Sequence, residues 1–527
     1  MKKRFLTFVI LLVATGVALT FLSTPEATYT SIENRSNKLK YGIDVAQDYL
    51  NDRRANKQTG KVDLLDVQKA REQVILHRAM RSNASVLEWE EMGPDNVGGR
   101  TRALAIDCTD ENILLAGGAS GGVWRSTDQG QSWEKMTQYF QLHNVTCIDQ
   151  DTRTGKEHIW YHGSGELSGS SAGGGGSYFD GNGIYKSVDG GITWDSIPIT
   201  ADNNAAGSFN QWDFIWNIAL DPSNNTEDEL YCATYGSIHR SVDGGQSWSQ
   251  MLGGGSAYYN NVEVTSNGVV YATLSSDGTD KGIWRSADGM SWNRIQPNTF
   301  PQIYGRAAIG INPANENEIY FLIAETDGAG QYTNTFFNGE TWTSLYRYTY
   351  LCGNGSDTCG IWEDLSANIP ANRPTTFDNF NSQGGYDLLV KVKTDEPNVV
   401  FIGGTNLWRS TDGFSSDTNT TQIGGYYEGS YHGQGNWDIY YNHHPDQHDL
   451  LFLPSNPDVI LSATDGGVYK SNDCKATPHV WERLNNGYQT TQLYSVSISK
   501  DPNNPVILGG FQDNGNFVNF SGNPLNE

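Results

Sequence analysis

The chain has 527 residues, of which 60 are Asp or Glu and 35 are Lys or Arg, so its formal net charge is −25. This acidic balance repels phosphate backbones and excludes nucleic acid as an expected partner. Charged residues make up only 18% of the chain, while Gly (59 residues) and aromatic residues (12%) are plentiful, which is typical of a folded protein with many tight turns rather than a disordered polyelectrolyte.

The N-terminus has the features of an export signal. Lys2, Lys3 and Arg4 precede an apolar run over 5–21, and a polar stretch follows. The run is long for a signal peptide and short for a membrane span, which needs ~20 residues. We expect cleavage near Ala27, which makes 1–27 a signal peptide and the mature protein secreted or held at the cell surface. An uncleaved N-terminal anchor is the alternative, and no other segment has the length and apolar character of a span.

The six cysteines of an exported chain are expected to form disulfides. Six cysteines permit 15 pairings, so spacing alone settles few of them. Cys352 and Cys359 enclose a turn-rich hexapeptide and are the one pair that the sequence predicts.

Residues 28–84 differ from the rest of the chain. Apolar residues recur at helical spacing over 43–50 and 64–80, and glycines are few. We predict a helical N-terminal segment that packs on the following domain, acts as a spacer or is removed.

From about residue 85 the chain repeats a unit of short strands. Its clearest element reads Ser-x-Asp-x-Gly-x-x-Trp, complete over 126–133, 187–194 and 241–248, shortened over 286–292, and decayed after Ser410 and Ser471. Asp accepts hydrogen bonds from turn amides, Gly adopts backbone angles that other residues avoid, and Trp packs between units. The motif therefore predicts a hairpin turn, and we expect no catalytic role for its aspartates.

The repeat predicts an all-β fold, a β-propeller of four-stranded blades over 85–527. Its period of about 40 to 50 residues is typical of propellers. We count eight units, which give seven to eight blades and start near Asn96, His143, Trp212, Asn260, Arg306, Tyr386, Asp438 and Tyr494. Residues 87–92 resemble an outer strand and would close the ring. Alternatively the last unit opens a second propeller and the sequence is truncated, which we favour because its final turn motif and Trp are missing.

The motif resembles the BNR or Asp-box repeats of sialidases, of xyloglucanase-type glycoside hydrolases and of the sortilin-type receptor domain. Segments 93–102, 163–166, 446–448, 465–468 and 510–515 extend the resemblance to sortilin-like or BNR-repeat secreted bacterial proteins. The resemblance covers roughly residues 90–527. It implies a propeller fold and export, and it says little about activity because propellers host many functions.

The chain departs from the catalytic patterns of these relatives. A sialidase carries a Phe-Arg-Ile-Pro motif in its first blade, whereas this chain has Arg100-Thr101-Arg102. A xyloglucanase carries an Asp in a first-blade Arg-Thr-Asp-x-Gly-Gly segment, and the equivalent stretch 118–122 lacks the acid. A similar Thr464-Asp465-Gly466 stands in the seventh unit instead.

A histidine-rich segment over 443–449 is the strongest candidate metal site. His444, Asp446 and His448 alternate and would share one face of an extended strand, where imidazole and carboxylate groups suit zinc or another divalent ion such as calcium. A hydrogen-bonded polar strand that lines a wet channel is the competing interpretation. No cofactor is certain.

Other candidate site residues lie between the turn motifs. The long glycine-rich loop 163–183 contains Glu166 and is expected to shape a binding face. Aromatic side chains near the predicted inner strands can stack on sugar rings or anchor protein partners. Candidate ligand-binding residues are Glu166, Trp212, Tyr259, Arg306 and Trp437; weak catalytic candidates are Asp465, Glu166 and Asp513.

The sequence leaves two candidate functions. The first is a secreted or cell-surface binding module, a monomer that recognises a glycan or an extracellular protein. The second is a glycoside hydrolase of Asp-box type that acts on polysaccharide with two carboxylates. The missing catalytic motifs favour binding.

Overall fold

The protein divides into two compact units, Met1–Arg53 and Arg54–Glu527. The computed structural model describes residues 92–139, 141–167, 179–201, 210–255, 257–335, 339–371, 378–428, 437–501 and 506–520, together with 53, 55–60, 66, 69, 70, 73 and 76. The predicted signal peptide 1–27 and nearly all of the predicted helical segment 28–84 lie outside the described residues, as do 168–178 of the glycine-rich loop.

The described chain from 92 to 520 is all-β and contains consecutive antiparallel sheets. The first sheet contains β1 (Thr101–Ile106), β2 (Leu114–Gly118), β3 (Gly122–Ser126) and β4 (Glu134–Lys135). The second contains β5 (Cys147–Gln150), β6 (Trp160–Gly163), β7 (Ile184–Ser187) and β8 (Asp195–Ser196). The third contains β9 (Ile215–Leu220), β10 (Leu230–Thr234), β11 (Ser237–Ser241) and β12 (Ser249–Gly253). The fourth pairs β13 (Asn260–Val264), β14 (Val270–Leu274), β15 (Gly282–Ser286) and β16 (Trp292–Arg294).

The fifth sheet departs from the four-stranded order. It comprises β17 (Ala307–Ile311), β18 (Glu318–Ala324), β19 (Gln331–Thr335), the long β20 (Gly339–Tyr350) and β21 (Gly360–Asp364). Strand β20 pairs with β18, β19 and β21, so β19 is an insertion into the repeat.

The remaining strands complete the repeat. The sixth sheet contains β22 (Leu389–Val392), β23 (Val400–Gly403), β24 (Leu407–Ser410) and β25 (Thr420–Gly424), and a small hairpin of β26 (Tyr426–Glu428) and β27 (Trp437–Ile439) follows. The seventh contains β28 (Gln447–Leu453), β29 (Asn456–Thr464), β30 (Gly467–Ser471) and β31 (Glu482–Arg483). A three-stranded sheet of β32 (Leu493–Ile498), β33 (Ile507–Phe511) and β34 (Gly515–Asn519) ends the described chain.

Short 3-10 helices occur in the connections, at Pro198–Thr200, Gln211–Asp213, Asp357–Cys359 and Ser366–Asn368. Among the described residues, no helix has the length and apolar character that crossing a membrane requires.

The seven larger sheets are arranged as in a β-propeller. Their first strands contact one another in the cyclic order β1, β5, β9, β13, β17, β22, β28 and back to β1. The predicted unit starts lie at or near the first strand of a sheet, except that the start near Asp438 falls in β27, before the seventh sheet begins at Gln447. Apolar cores lie between neighbouring sheets; the core between the seventh and first sheets joins Leu461 and Val468 to Leu104 and Trp124.

The turn motif has the local structure that its residue types predict. Asp128 Oδ1 accepts hydrogen bonds from the Ser126 hydroxyl (2.7 Å) and the Ser132 amide (2.9 Å), and the Gly130 amide donates to Ser126 Oγ (2.8 Å). The same arrangement recurs around Asp189 and Asp243. The Trp133 ring donates to the Leu484 carbonyl of the neighbouring sheet at 2.6 Å. The aspartates therefore hold turns on the outer side of the repeat.

Cys352 and Cys359 form the predicted disulfide. The four other cysteines, Cys108, Cys147, Cys232 and Cys474, are free.

Candidate functional site

One face of the propeller collects the polar side chains of interest. In an antiparallel sheet, the residues before the first strand and the turn between the second and third strands lie at the same edge. We call the face formed by these edges the upper face. Arg100 precedes β1, Glu166 follows β6, Tyr386 precedes β22 and Asp465 lies in the β29–β30 turn.

An ion pair joins the first and seventh sheets on this face. Arg100 donates from Nε and Nη2 to both oxygens of Asp465, at 2.8 to 3.0 Å. Arg100 Nη2 also lies 3.3 Å from Asp513, which belongs to the turn between β33 and β34. Because both partners of the first pair are buried, this is a desolvated two-pronged contact rather than a surface salt bridge.

His448 extends the network. Its Nε2 lies 2.5 Å from Asp465 Oδ1 and its Nδ1 lies 2.7 Å from Arg102 Nη1. Since a guanidinium only donates, Nδ1 must accept and Nε2 must carry the proton that is shared with Asp465. Burial and the nearby Arg102 charge lower the pKa of His448 to about 3, so the ring is neutral at physiological pH.

Irregularities in the backbone of three strands set the direction of three side chains near this network. Strands β1, β9 and β28 each contain a register shift, which leaves Arg102, Trp216 and His448 unpaired within their ladders. A β-bulge adds one residue to a strand and redirects its side chain. All three residues line one cavity of about 110 Å³ in the central channel.

Glu166 is held beneath the upper face. Arg102 Nε lies 3.4 Å from Glu166 Oε1, and the Tyr386 hydroxyl donates to the same oxygen. The Arg102 guanidinium also lies 4.5 Å from the centre of the Tyr386 ring. The preceding Gly165 has φ +88°, and a Cβ there would lie 1.6 Å from the Asp213 carbonyl oxygen, so only glycine lets the chain pass at this point.

The buried carboxylates of the site differ in their protonation. Burial alone would raise the pKa of Asp465, but Arg100 and His448 hold it well below its usual range. Burial and the neighbouring Asp465 charge raise the pKa of Asp387. Burial and Asp387 likewise raise the pKa of Asp446, whose Oδ1 accepts a hydrogen bond from Gln383 at 3.0 Å. One ionised carboxylate therefore stands near two that favour the protonated form.

An aromatic row leads outward from this cluster along the upper face. It consists of Trp216, Tyr259, Tyr258 and Tyr235, with ring centres 5.1, 5.0 and 5.9 Å apart in that order. Tyr258 is 37% exposed. At the inner end, the Arg306 guanidinium lies 5.4 Å from the Trp216 ring.

The structure brings together most of the residues that the sequence singles out. Glu166, Asp465 and Asp513 belong to one network, and Tyr259 and Arg306 lie beside it. Trp212 lies outside this network: it is partly buried against the apolar core, with the His239 and Trp248 ring centres 4.6 and 5.4 Å away, so its predicted role in ligand binding stays a prediction. The backbone of Trp437 lies in β27, and its side chain is outside the described residues.

The three predicted metal-binding residues do not share a strand. Strand β28 begins at Gln447, so only His448 lies within it, and Asp446 has a left-handed backbone (φ +66°). The His444 ring nitrogens lie 2.9 Å from the carbonyl oxygens of Pro445 and Asp513. In the described part of the chain, no group of three or more His, Cys, Asp or Glu is placed to hold a metal ion. A zinc or calcium site here stays a prediction.

Sequence reasoning did not assign Arg100, Arg102, Tyr386, Asp387 and Gln383 to the site. The Arg100-Thr101-Arg102 segment stood out only as a departure from the sialidase pattern. A usable signal exists: these residues stand shortly before or at the start of a first strand, where a propeller exposes them at its upper face.

The chain resembles known proteins mainly in its fold. No protein-family model matches the chain. A xyloglucanase from Paenibacillus sp is 26% identical over 246 residues, which are 40% of this chain and 22% of that protein. The chain thus matches about a fifth of its curated relative.

Solved structures share the fold at low sequence identity. The GH74 enzyme of Niastella koreensis gives a TM-score of 0.52 at 17% identity over 81% of this chain and 59% of that one. The GH74 xyloglucanase of Xanthomonas campestris gives 0.55 at 16% identity over 82% and 60%, and an ancestral GH74 enzyme gives 0.53 at 18% identity over 83% and 54%. The chain spans between half and two thirds of the length of these enzymes.

Proposed function

We propose that this protein is a secreted or cell-surface β-propeller that binds a glycan on its upper face. The aromatic row is the observation that carries the proposal. Exposed Tyr258 begins a series of aromatic rings that continues through Tyr259 to Trp216 at the channel mouth. The apolar C–H face of a sugar ring packs well on an aromatic ring, and the flanking polar groups bind its hydroxyls. The polysaccharide enzymes with the same fold support a glycan over a protein ligand.

The burial of the carboxylate cluster favours binding over catalysis. Asp387, Asp446 and Asp465 are buried, and the turn that carries Asp513 contacts both Arg100 and His444. A glycosidic oxygen therefore meets little exposed carboxylate at these three acids, whereas the aromatic row includes the exposed Tyr258.

The test is a glycan array followed by calorimetric titration of the secreted chain with soluble polysaccharides, xyloglucan included. We expect binding in the micromolar range or tighter, and we expect Tyr258→Ala to weaken it about tenfold. Tyr494→Ala is the matched control, because Tyr494 is 67% exposed on the three-stranded sheet. Failure to bind any glycan, or equal binding by wild type and Tyr258→Ala, overturns the proposal.

Polysaccharide hydrolysis is the second candidate function. The opposed pKa shifts of Asp465 and Asp446 favour it, because such a separation is how a site divides the roles of base and acid between two carboxylates. A panel of polysaccharides is incubated with wild type and with Asp446→Asn. Sugar release that disappears in Asp446→Asn supports a hydrolase, and no release from any substrate rejects it.

The remaining expectations concern export and ring closure. We propose that residues 1–27 direct export, that seven sheets close the propeller, and that 493–520 begin a further unit. N-terminal sequencing of the exported protein tests the first point: a start at residue 28 or nearby supports cleavage, and a retained Met1 supports an anchor.

A further inference from the structure

Arg306 is a positively charged side chain without an acidic partner among the described residues. Its Nη1 donates to the carbonyls of Gly385 (3.3 Å) and Tyr386 (2.8 Å), and no described carboxylate lies within 4.0 Å of it. Burial and then the like charge of Arg102 lower the pKa of Arg306 to about 9, although a guanidinium normally stays charged far above that value. A nearby anion would relieve this cost.

Space for such an anion exists beside it. Arg306, Arg102, His448 and Trp216 line the same cavity of about 110 Å³, which has room for a small polar group and several waters. The other Arg and Lys side chains that line this cavity have acidic partners: Arg102 faces Glu166, and Lys391 lies 3.0 Å from Asp449.

Two further acids, Asp387 and Glu263, lie near Arg306 or its cavity. Burial raises the pKa of Asp387, so its proton removes the charge that would compete for Arg306. Glu263 lines the same cavity, where Asn217 donates to it at 3.2 Å, and burial raises its pKa to about 7, so its proton reduces its competition for Arg306. Neither acid neutralises the guanidinium by direct contact.

The aromatic row places a bound sugar next to this cation. Trp216 contacts Tyr259 on one side and the Arg306 guanidinium on the other. We propose that Arg306 binds the carboxylate of a uronic acid residue carried by the glycan that lies on the aromatic row. This inference rests on the proposed glycan-binding function and specifies the ligand: a polysaccharide with a neutral backbone and sparse acidic groups.

The net charge of the protein favours a ligand that carries few acidic groups. At a net charge of −25, the protein repels a polyanion over a distance, so a fully acidic polymer such as polygalacturonate is disfavoured. A single carboxylate on a neutral chain meets mainly the local guanidinium field, which salt screens little inside a cavity.

The experiment compares two forms of one ligand. Xylan that bears glucuronic acid side groups is titrated into the wild-type chain, and so is the same xylan after its carboxyl groups are reduced to alcohols. We expect the acidic form to bind at least about tenfold more tightly, as a charge-assisted contact allows. Polygalacturonate should bind more weakly than the acidic xylan.

Variants locate the effect. Arg306→Gln should bind both xylans alike, at the affinity of the reduced form, and Arg306→Lys should retain part of the difference because it keeps the charge without the planar fork. Arg294→Gln, an exposed arginine of β16, is the control and should behave as wild type. If Arg306 only donates hydrogen bonds to the Gly385 and Tyr386 carbonyls, the ratio of affinities for the two xylans should be the same in Arg306→Gln as in wild type.

Each outcome either supports or overturns the carboxylate inference. The carboxylate inference is overturned if wild type binds the two xylans equally, or if the difference in affinity survives in a folded Arg306→Gln variant. The glycan-binding function still stands in that case if Tyr258→Ala weakens binding. If Arg306→Gln does not fold, the wild-type comparison of the two xylans and Arg306→Lys still decide. If wild type binds neither xylan, the inference fails, and the glycan array separately decides the function.

Discussion

The guanidinium of Arg100 binds both carboxylate oxygens of Asp465, which lies 365 residues further along the chain. Arg100 enters the first sheet, and Asp465 forms the β29–β30 turn of the seventh. The pair therefore crosses the junction at which the cyclic contact of the sheets closes. His448 shares Asp465 and so ties the seventh sheet to the same junction.

We expect Asp465→Asn to lower the free energy of unfolding by about 3 to 5 kcal/mol, because it leaves the Arg100 charge buried without a counterion. Urea denaturation followed by tryptophan fluorescence measures the loss. The double variant Arg100→Gln/Asp465→Asn should lose less than the sum of the two single variants. A loss below about 0.5 kcal/mol for Asp465→Asn would show that the pair does not stabilise the junction.

Gly165→Ala should destabilise the protein far more than Gly155→Ala. Both glycines have a left-handed backbone, with φ of +88° and +84°, so both substitutions cost about 1 to 2 kcal/mol for backbone angles alone. Only at Gly165 would the added Cβ collide with a main-chain oxygen, whereas nothing lies within 4 Å at Gly155. Denaturation midpoints of the two variants check this, and equal midpoints contradict it.

The contribution of Glu263 to stability should fall as the pH rises from about 4.5 to about 7. Burial raises the pKa of Glu263 from 4.5 to about 7, so between these values the folded protein holds a proton that the unfolded chain has lost. Asp149, which lines a second channel cavity of about 600 Å³ together with Glu263, has a pKa raised by burial to about 7 and acts in the same direction.

Glu263→Gln isolates this effect. The thermal midpoint of the variant should rise relative to that of wild type as the pH increases from about 4.5 to about 7, because the variant stays neutral while Glu263 loses its proton. Glu134→Gln, on the exposed strand β4, is the control. A variant with an unchanged pH profile would rule out Glu263 as a source of the dependence.

Asp243→Ala should cost about 1 to 2 kcal/mol of stability and leave glycan binding unchanged. The Asp243 carboxylate accepts hydrogen bonds from the Ser241 hydroxyl and from the amide and hydroxyl of Ser247. Asp473, in the decayed copy of the motif, accepts one from the Lys475 amide. Asp473→Ala should therefore cost less, and thermal unfolding compares the two. A larger loss for Asp473→Ala would contradict this account of the turn.

The sequence by itself determined the features that depend on neighbouring residues. The Ser-x-Asp-x-Gly-x-x-Trp turns form because each donor and acceptor lies within a few residues, and the Cys352–Cys359 disulfide closes a loop too short to need the rest of the fold. The repeat spacing predicted the beginnings of most sheets, although the start predicted near Asp438 falls in β27, before β28 begins at Gln447.

Only the tertiary structure decided the site. Arg100 meets Asp465, and Arg306 meets the Tyr386 carbonyl, because cyclic packing brings the edges of distant sheets together. The alternation expected for His444, Asp446 and His448 failed, because β28 starts at Gln447 and a bulge at His448 breaks its register. Trp212 packs against the core beside Trp248, in the short 3-10 helix that precedes β9. A bulge or a short 3-10 helix sets the direction of a side chain, and the residue types around His448 and Trp212 did not predict these two features.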